Sequence, residues 1–178
     1  GTIRATDLKQ VPTQRGPLAT YDPGFMNTAS CRSAITYIDG DAGILEYRGY
    51  PIAELAEKST YLEVAWLLLF GTQPTREQLE KFNRILSSYR ELPEYFAEDM
   101  IIKAPSKDIM NKLGRSVLAL YSYDSNPDET SLENIMRQSI SLIARMPTIM
   151  TYAYQVKRRH YDKKSMYFHP IKPEHSTA

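Results

Sequence analysis

The stretch TYLEVAWLLLFG, residues 60–71, decides the fold class. Thr60 followed three residues later by Glu63 is capping-box spacing: the hydroxyl takes an orphan N–H of the first turn, and the carboxylate reaches back to the cap. Gly71 supplies the left-handed residue that commonly closes a helix. Between them stand Leu62, Val64, Ala65, Trp66, Leu67, Leu68, Leu69 and Phe70. A helix this apolar on nearly every side belongs in the middle of a core. Its longest unbroken apolar run, Val64 to Phe70, is far short of a bilayer span.

The same grammar continues toward the C-terminus. Thr75 and Gln78 form a second capping box, and Leu79, Phe82, Ile85, Leu86 and Tyr89 recur at spacings of three and four. Pro93 suits the start of a short helix reaching Lys103, which Pro105 stops. Ser106 is a candidate cap for a helix whose stripe is Ile109, Met110, Leu113, Val117, Leu118 and Tyr121. Asp124 to Asp128 reads as a loop. Thr130 and Glu133 make a third capping box, opening a helix with Ile135, Met136, Ile140, Leu142 and Ile143 inward. Pro147 should break or kink it before Thr148 to Arg159 resume. After His160 the periodicity dissolves, with Pro170 and Pro173 in the tail.

Toward the N-terminus, Pro51 suits a first helical position, with Ile52, Leu55 and Ala56 on one face. Before it, Ile35–Ile38 and Ile44–Arg48 flank the turn Asp39-Gly40-Asp41-Ala42-Gly43, a small β-hairpin that needs helices to pack on. Residues 1–30 hold Pro12, Gly16, Pro17, Pro23 and Gly24 and little periodicity, so they read as an extended arm. The expected architecture is all-α, a helical bundle with one small β-hairpin. The arm spans 1–34, the hairpin 35–50, the helical segment 51–160, and a C-terminal loop 161–178.

Composition narrows the function classes. The 178 residues carry 22 Lys+Arg against 21 Asp+Glu, with 42% apolar residues. A net charge of +1 argues against a nucleic-acid binder. No membrane association is expected, and Gly1–Gln10 has no apolar segment of signal-peptide type. A single Cys, Cys31, permits neither an internal disulfide nor a cysteine-based zinc site and suits a reducing compartment; the cytoplasm is the expected one.

Residues that carry chemistry are few. His160, His169 and His175 all fall near the C-terminus without the i, i+4 pairing of a metal site, so no metal residue is assigned. The basic run Lys157-Arg158-Arg159-His160 is accounted for by the dipole of a helix end. Gly40 and Gly43 join two strands, whereas a phosphate loop joins a strand to a helix. Cys31 reads as a small buried residue, and Asp39 and Asp41 as turn carboxylates bonded to the backbone. No Ser occupies a Gly-x-Ser-x-Gly elbow. The residues alone assign no catalytic position and leave any cofactor-binding residue unknown.

Residues 21–59, YDPGFMNTASCRSAITYIDGDAGILEYRGYPIAELAEKS, nevertheless closely resemble the N-terminal portion of citrate synthase. The resemblance lies in Tyr37 to Gly40, Gly43 to Leu45, Arg48 to Tyr50, and Pro51 with Ile52, Leu55 and Ala56. It continues through Tyr61 to Ala65, Leu67 to Gly71, Pro74-Thr75 with Glu77, and Ile143 to Thr148. It weakens between Arg90 and Asn126. It implies part of the large helical domain of an enzyme that condenses acetyl-CoA with oxaloacetate to citrate and CoA, in the tricarboxylic acid cycle.

In that family one Asp removes a methyl proton, a His donates to the enolate oxygen, a second His assists at the oxaloacetate carbonyl, and Arg residues hold carboxylates. The family's His-Gly-Gly-Ala-Asn and Gly-His-Arg-Val-Tyr segments are absent from this sequence, as is the catalytic Asp. The expectation is therefore an N-terminal fragment, inactive alone and binding no cofactor, with acetyl-CoA as substrate of the full-length enzyme. The alternatives are a fragment of a 2-methylcitrate synthase and a non-catalytic helical interaction module. The resemblance implies a homodimer, or a hexamer in some bacteria. The apolar faces of 61–70 and 107–122 should make the separate chain self-associate. At the four positions that hold NADH in one bacterial subset, this chain has Ser88, Ser122, Ser141 and Arg145, with Arg90 and Tyr121 as neighbours of two. NADH regulation is therefore not expected. Arg48, a signature residue, reads as an ion-pair partner that fixes the hairpin.

Overall fold

The computed structural model describes residues 1–172. His175, Pro173 and the rest of the tail lie outside the described residues. The chain divides into two compact units, Gly1–Pro51 and Ile52 onward.

In the first unit the expected hairpin is present. Strand β3 (Thr36–Asp39) pairs antiparallel with β4 (Ile44–Tyr47), with Thr36 opposite Tyr47 and Asp39 opposite Ile44. Asp39 Oδ1 accepts the Ala42 N–H at 3.0 Å, and Gly43 takes φ 68°. Such a left-handed turn position favours glycine. A third strand, β5 (Tyr50–Pro51), extends the sheet, a pairing the sequence reading did not include. Pro51 therefore lies in a strand and not at a first helical position. Arg48 and Gly49 turn the chain there at φ 52° and 84°, and the Arg48 N–H donates to the Ile35 carbonyl at 2.7 Å. The arm is more structured than an extended segment. It holds a 3-10 turn at Ala5–Gln10 and a two-residue ladder of β1 (Pro12–Thr13) with β2 (Gly16–Pro17).

The second unit is helical. Helix α1 (Ile52–Lys58) is followed by α2 (Tyr61–Phe70) and α3 (Arg76–Ser88). Two of the three expected capping boxes form. Thr60 and Thr75 accept from the Glu63 and Gln78 amides, and those side chains reach back to the cap amides. Gly71 closes α2 at φ 86°. Next, α4 (Ile109–Ala119) and α5 (Leu132–His160) pack on each other.

Several boundaries move, each for a reason. The segment after Pro93 contains a π-helical turn, Ala97–Ile102, where an α-helix was expected. Helix α4 is capped by Asp108, whose Oδ1 accepts the Asn111 N–H at 3.0 Å. The expected cap, Ser106, bonds the Asp108 backbone instead. Helix α5 is capped by Ser131, not Thr130, because the Ser131 hydroxyl takes the Asn134 amide. Pro147 does not break α5, which continues through it for 29 residues.

Helix α5 is the spine of two apolar clusters. Leu62, Phe82 and Leu86 pack with Ala144, joined by Trp66, whose ring meets Phe82 edge-on at 5.5 Å. Phe96, Ile101 and Leu120 pack with Ile149, Ala153 and Val156. Fully burying a side chain of this size stabilises the fold by about 1.5–3 kcal/mol. Helix α2 is less central than its composition implied: only Leu62 and Leu67 are buried, and Phe70 is 44% exposed. The expected stripe of α4 is inward only in part, through Ile109 and Leu113, which pack on the core. Met110 and Leu118 are exposed, whereas Lys112 and Ser116 are buried.

Candidate functional site

In the second unit an open cleft of about 160 Å³ runs beside the middle of α5. Ala144, Pro147, Thr148, Thr151 and Tyr152 form one wall. These positions share a face because α-helical neighbours recur every three or four residues. Arg90 and the segment His169–Lys172 complete it, and no acidic residue lines it. The 161–172 segment is tied back to the helical core. Phe168 stacks on Tyr152 with centroids 4.3 Å apart, and the Tyr167 N–H reaches Gln155 Oε1. The Arg90 guanidinium donates to the Lys172 carbonyl at 3.1 Å and to Asn83 Oδ1 at 3.4 Å. Arg90 is only 5% exposed, and burial lowers its pKa. The Thr148 hydroxyl donates to the Arg90 carbonyl at 3.3 Å.

Next to Arg90 in sequence, the Glu91 carbonyl accepts from Arg145 Nε at 3.1 Å. Burial is the main influence on this guanidinium and lowers its pKa. A polar knot stands at the start of α5. Arg137 Nη2 meets Asp124 Oδ1 at 2.6 Å, and Gln138 Nε2 donates to Asp124 Oδ2 at 3.3 Å. The Asn134 amide donates to the Asn126 and Glu129 carbonyls, both at 2.8 Å. The Asp124 carboxyl is held below the usual range, chiefly by the Asn126 N–H and then by Arg137 and Gln138.

The residues weighed from sequence are dispersed. His169 lines the cleft and sets its ring edge-on to Tyr167; His160 ends α5 and meets Tyr161 edge-on. Lys157 to His160 do occupy the last turn of α5, as the dipole argument requires. Cys31 is exposed, contrary to the buried reading, because the chain around it belongs to no packed element. Ser88 donates to the Ile85 carbonyl, Ser122 is exposed, and Ser141 is buried in α5. Tyr121 spends its hydroxyl on Asp128 at 2.8 Å. Among the described residues no group of three His, Cys, Asp or Glu is placed to hold a metal ion. None of their helices is long and apolar enough to cross a membrane.

Sequence reasoning missed the burial of Arg90, Lys112 and Asn134. The available signal was polar residues at core phase in otherwise apolar stripes: Lys112 and Ser116 lie one turn apart. The cleft and the knot can bind, orient and brace. Their strongest polar groups are already engaged with the protein itself.

Comparison with known proteins gives a consistent result. The family model described as "Citrate synthase, C-terminal domain" matches residues 24–177. The chain is 43% identical over 167 residues to a glyoxysomal citrate synthase of Cucurbita maxima, covering 86% of this chain and 32% of that protein. Against citrate synthase 1 of Mycobacterium tuberculosis it is 40% identical over 139 residues, covering 76% and 32%. The solved citrate synthase of Thermotoga maritima superposes with a TM-score of 0.70 at 30% identity, over 89% of this chain and 39% of that one. That of Pyrobaculum aerophilum gives 0.68 at 33% identity, over 83% and 38%. The chain spans about a third of the length of the curated relatives it matches.

Proposed function

Because the chain belongs to the citrate synthase family, we propose that it is the N-terminal part of the large helical domain of an enzyme condensing acetyl-CoA with oxaloacetate to citrate and CoA. The observation that carries this is the family match across residues 24–177 on a chain one third as long as its relatives. The chemistry needs a base for a weakly acidic thioester α-proton and a prepositioned donor for the enolate oxygen, in a closed site. The ionisable groups paired on this chain, Asp124 with Arg137 and the exposed i, i+4 pairs such as Arg76 with Glu80, neutralise one another on the scaffold. The family's two His segments and its catalytic Asp are not among these 178 residues, so on this reading the chain supplies scaffold and the proton transfers fall to residues elsewhere in the whole protein.

The test is a thiol-release assay on the purified 178-residue chain with acetyl-CoA and oxaloacetate. No CoA release above background is expected, and turnover would refute the reading. Reading the transcript past the Ala178 codon discriminates further: an open frame with the two His segments supports a synthase, and a stop codon favours an interaction module. In the whole enzyme the partner is a second copy. The separate chain should self-associate, since Phe70, Met110 and Leu118 are exposed on α2 and α4. A strictly monomeric sedimentation profile at high concentration would contradict this. The cytoplasm is proposed as its compartment, on the exposed free thiol of Cys31; fractionation checks it.

A further inference from the structure

The π-helical turn Ala97–Ile102 and the buried Lys112 explain each other. In this turn the backbone ladder skips to the fifth residue: the Lys103 N–H donates to the Glu98 carbonyl at 3.0 Å. Just before it the ladder is α-helical, with the Asp99 N–H on the Tyr95 carbonyl at 2.9 Å. If the wide ladder ran on, the Met100 carbonyl would look to the amide of residue 105. That residue is Pro105, which has no N–H. The Lys112 ammonium, reaching across from α4, donates to this carbonyl instead. Lys112 is only 3% exposed, and burial lowers its pKa. A lysine so placed opposes folding unless it meets an acceptor that would otherwise be left unmade.

A narrower register is open to the same residues. In an α-helical turn the Ala104 N–H would serve the Met100 carbonyl, and no lysine would be needed. Moving between registers adds or sheds one residue per ring and rotates the segment about its axis. Phe96 and Ile101, both fully buried in the cluster against Ile149, would shift with it.

We propose that Lys112 is a register lock: it stands in for the N–H that Pro105 lacks, and so holds Ala97–Ile102 in the wide turn and Ile101 in the core. The segment is a two-state element, and Lys112 selects the state. Wide turns of this type are rare and need a local cause.

Amide hydrogen exchange on the 178-residue chain tests this with two substitutions. Lys112→Met should speed exchange at Ile101, Ile102 and Lys103 by about ten-fold or more, the scale of a lost bond to a charged donor. Pro105→Ala supplies the missing amide. In that background Lys112→Met should change exchange by less than about two-fold, because the backbone then serves Met100. Equal effects in the two backgrounds would overturn the proposal. If the Lys112→Met chain does not fold, folding of the double variant supports the lock, and its failure to fold counts against it.

Discussion

Replacing Asp124 with Ala removes the centre of the polar knot at the start of α5. Three bonds are lost: Arg137 Nη2 at 2.6 Å, the Asn126 N–H at 2.9 Å and Gln138 Nε2 at 3.3 Å. A hydrogen bond to a charged group is worth about 1.5–3 kcal/mol, but not all of that is forfeited here. The Arg137 side chain is 37% exposed, so its freed guanidinium regains water, and it keeps Asn134 Oδ1 at 2.7 and 2.9 Å. The Asp124 side chain, 16% exposed, is the better shielded partner. The net loss should settle at about 2 kcal/mol. Urea denaturation at neutral pH reads this as a lower midpoint with an unchanged m-value. Pairing it with Arg137→Ala in a double-mutant cycle should give a coupling of about 1 kcal/mol.

The pH dependence supplies an independent check. The carboxyl is held below its usual range when folded, so its contribution is complete above that range. It is lost as pH falls through the lowered folded value. The gap between the native chain and Asp124→Ala must therefore narrow on acidification. A change under about 0.5 kcal/mol at neutral pH would refute the reasoning. So would a gap that persists in acid.

Other substitutions probe separate features. Pro147→Ala restores the amide that the Ile143 carbonyl lacks within an unbroken helix and should stabilise the chain by about 1–3 kcal/mol; thermal unfolding checks the sign. Thr60→Ala removes the capping-box hydroxyl of α2 and should cost about 1 kcal/mol in the same measurement. Ile149→Ala empties a fully buried position against Phe96 and Ile101 and should cost about 2–5 kcal/mol in urea denaturation. Cys31 is exposed, so a thiol reagent should modify one group per chain without denaturant; protection until unfolding would contradict the placement.

Features set by local chemistry were legible. The boxes at Thr60 and Thr75 formed as read because each needs only two side chains and the amides between them. At α5 two adjacent spacings competed, Thr130 with Glu133 and Ser131 with Asn134. The second prevails because the Asn126 and Glu129 carbonyls draw the Asn134 amide inward. Pro147 illustrates the same limit. The helix continues because Ala144 on one side and Ile149 on the other are anchored in different clusters. Arg90 drew notice only as a neighbour of another position. Its burial depends on the Lys172 carbonyl, 82 residues away, which no local pattern encodes.

Helix α4 shows most clearly what periodicity can and cannot say. An i, i+3, i+4 stripe identifies a helix by assuming that the apolar side faces the core. Here the amphipathic period holds and Ile109 and Leu113 pack on the core, but the packed face also takes in Lys112 and Ser116, and Met110 and Leu118 look outward. Polar chemistry bears on this face: in the wide register the Met100 carbonyl finds no amide at residue 105, and α4 presents the lysine that serves it. Turning α4 to bury Met110 and Leu118 would draw Lys112 off that carbonyl and Ile109 and Leu113 off the core. The exposed pair is then the counterpart of the buried lysine.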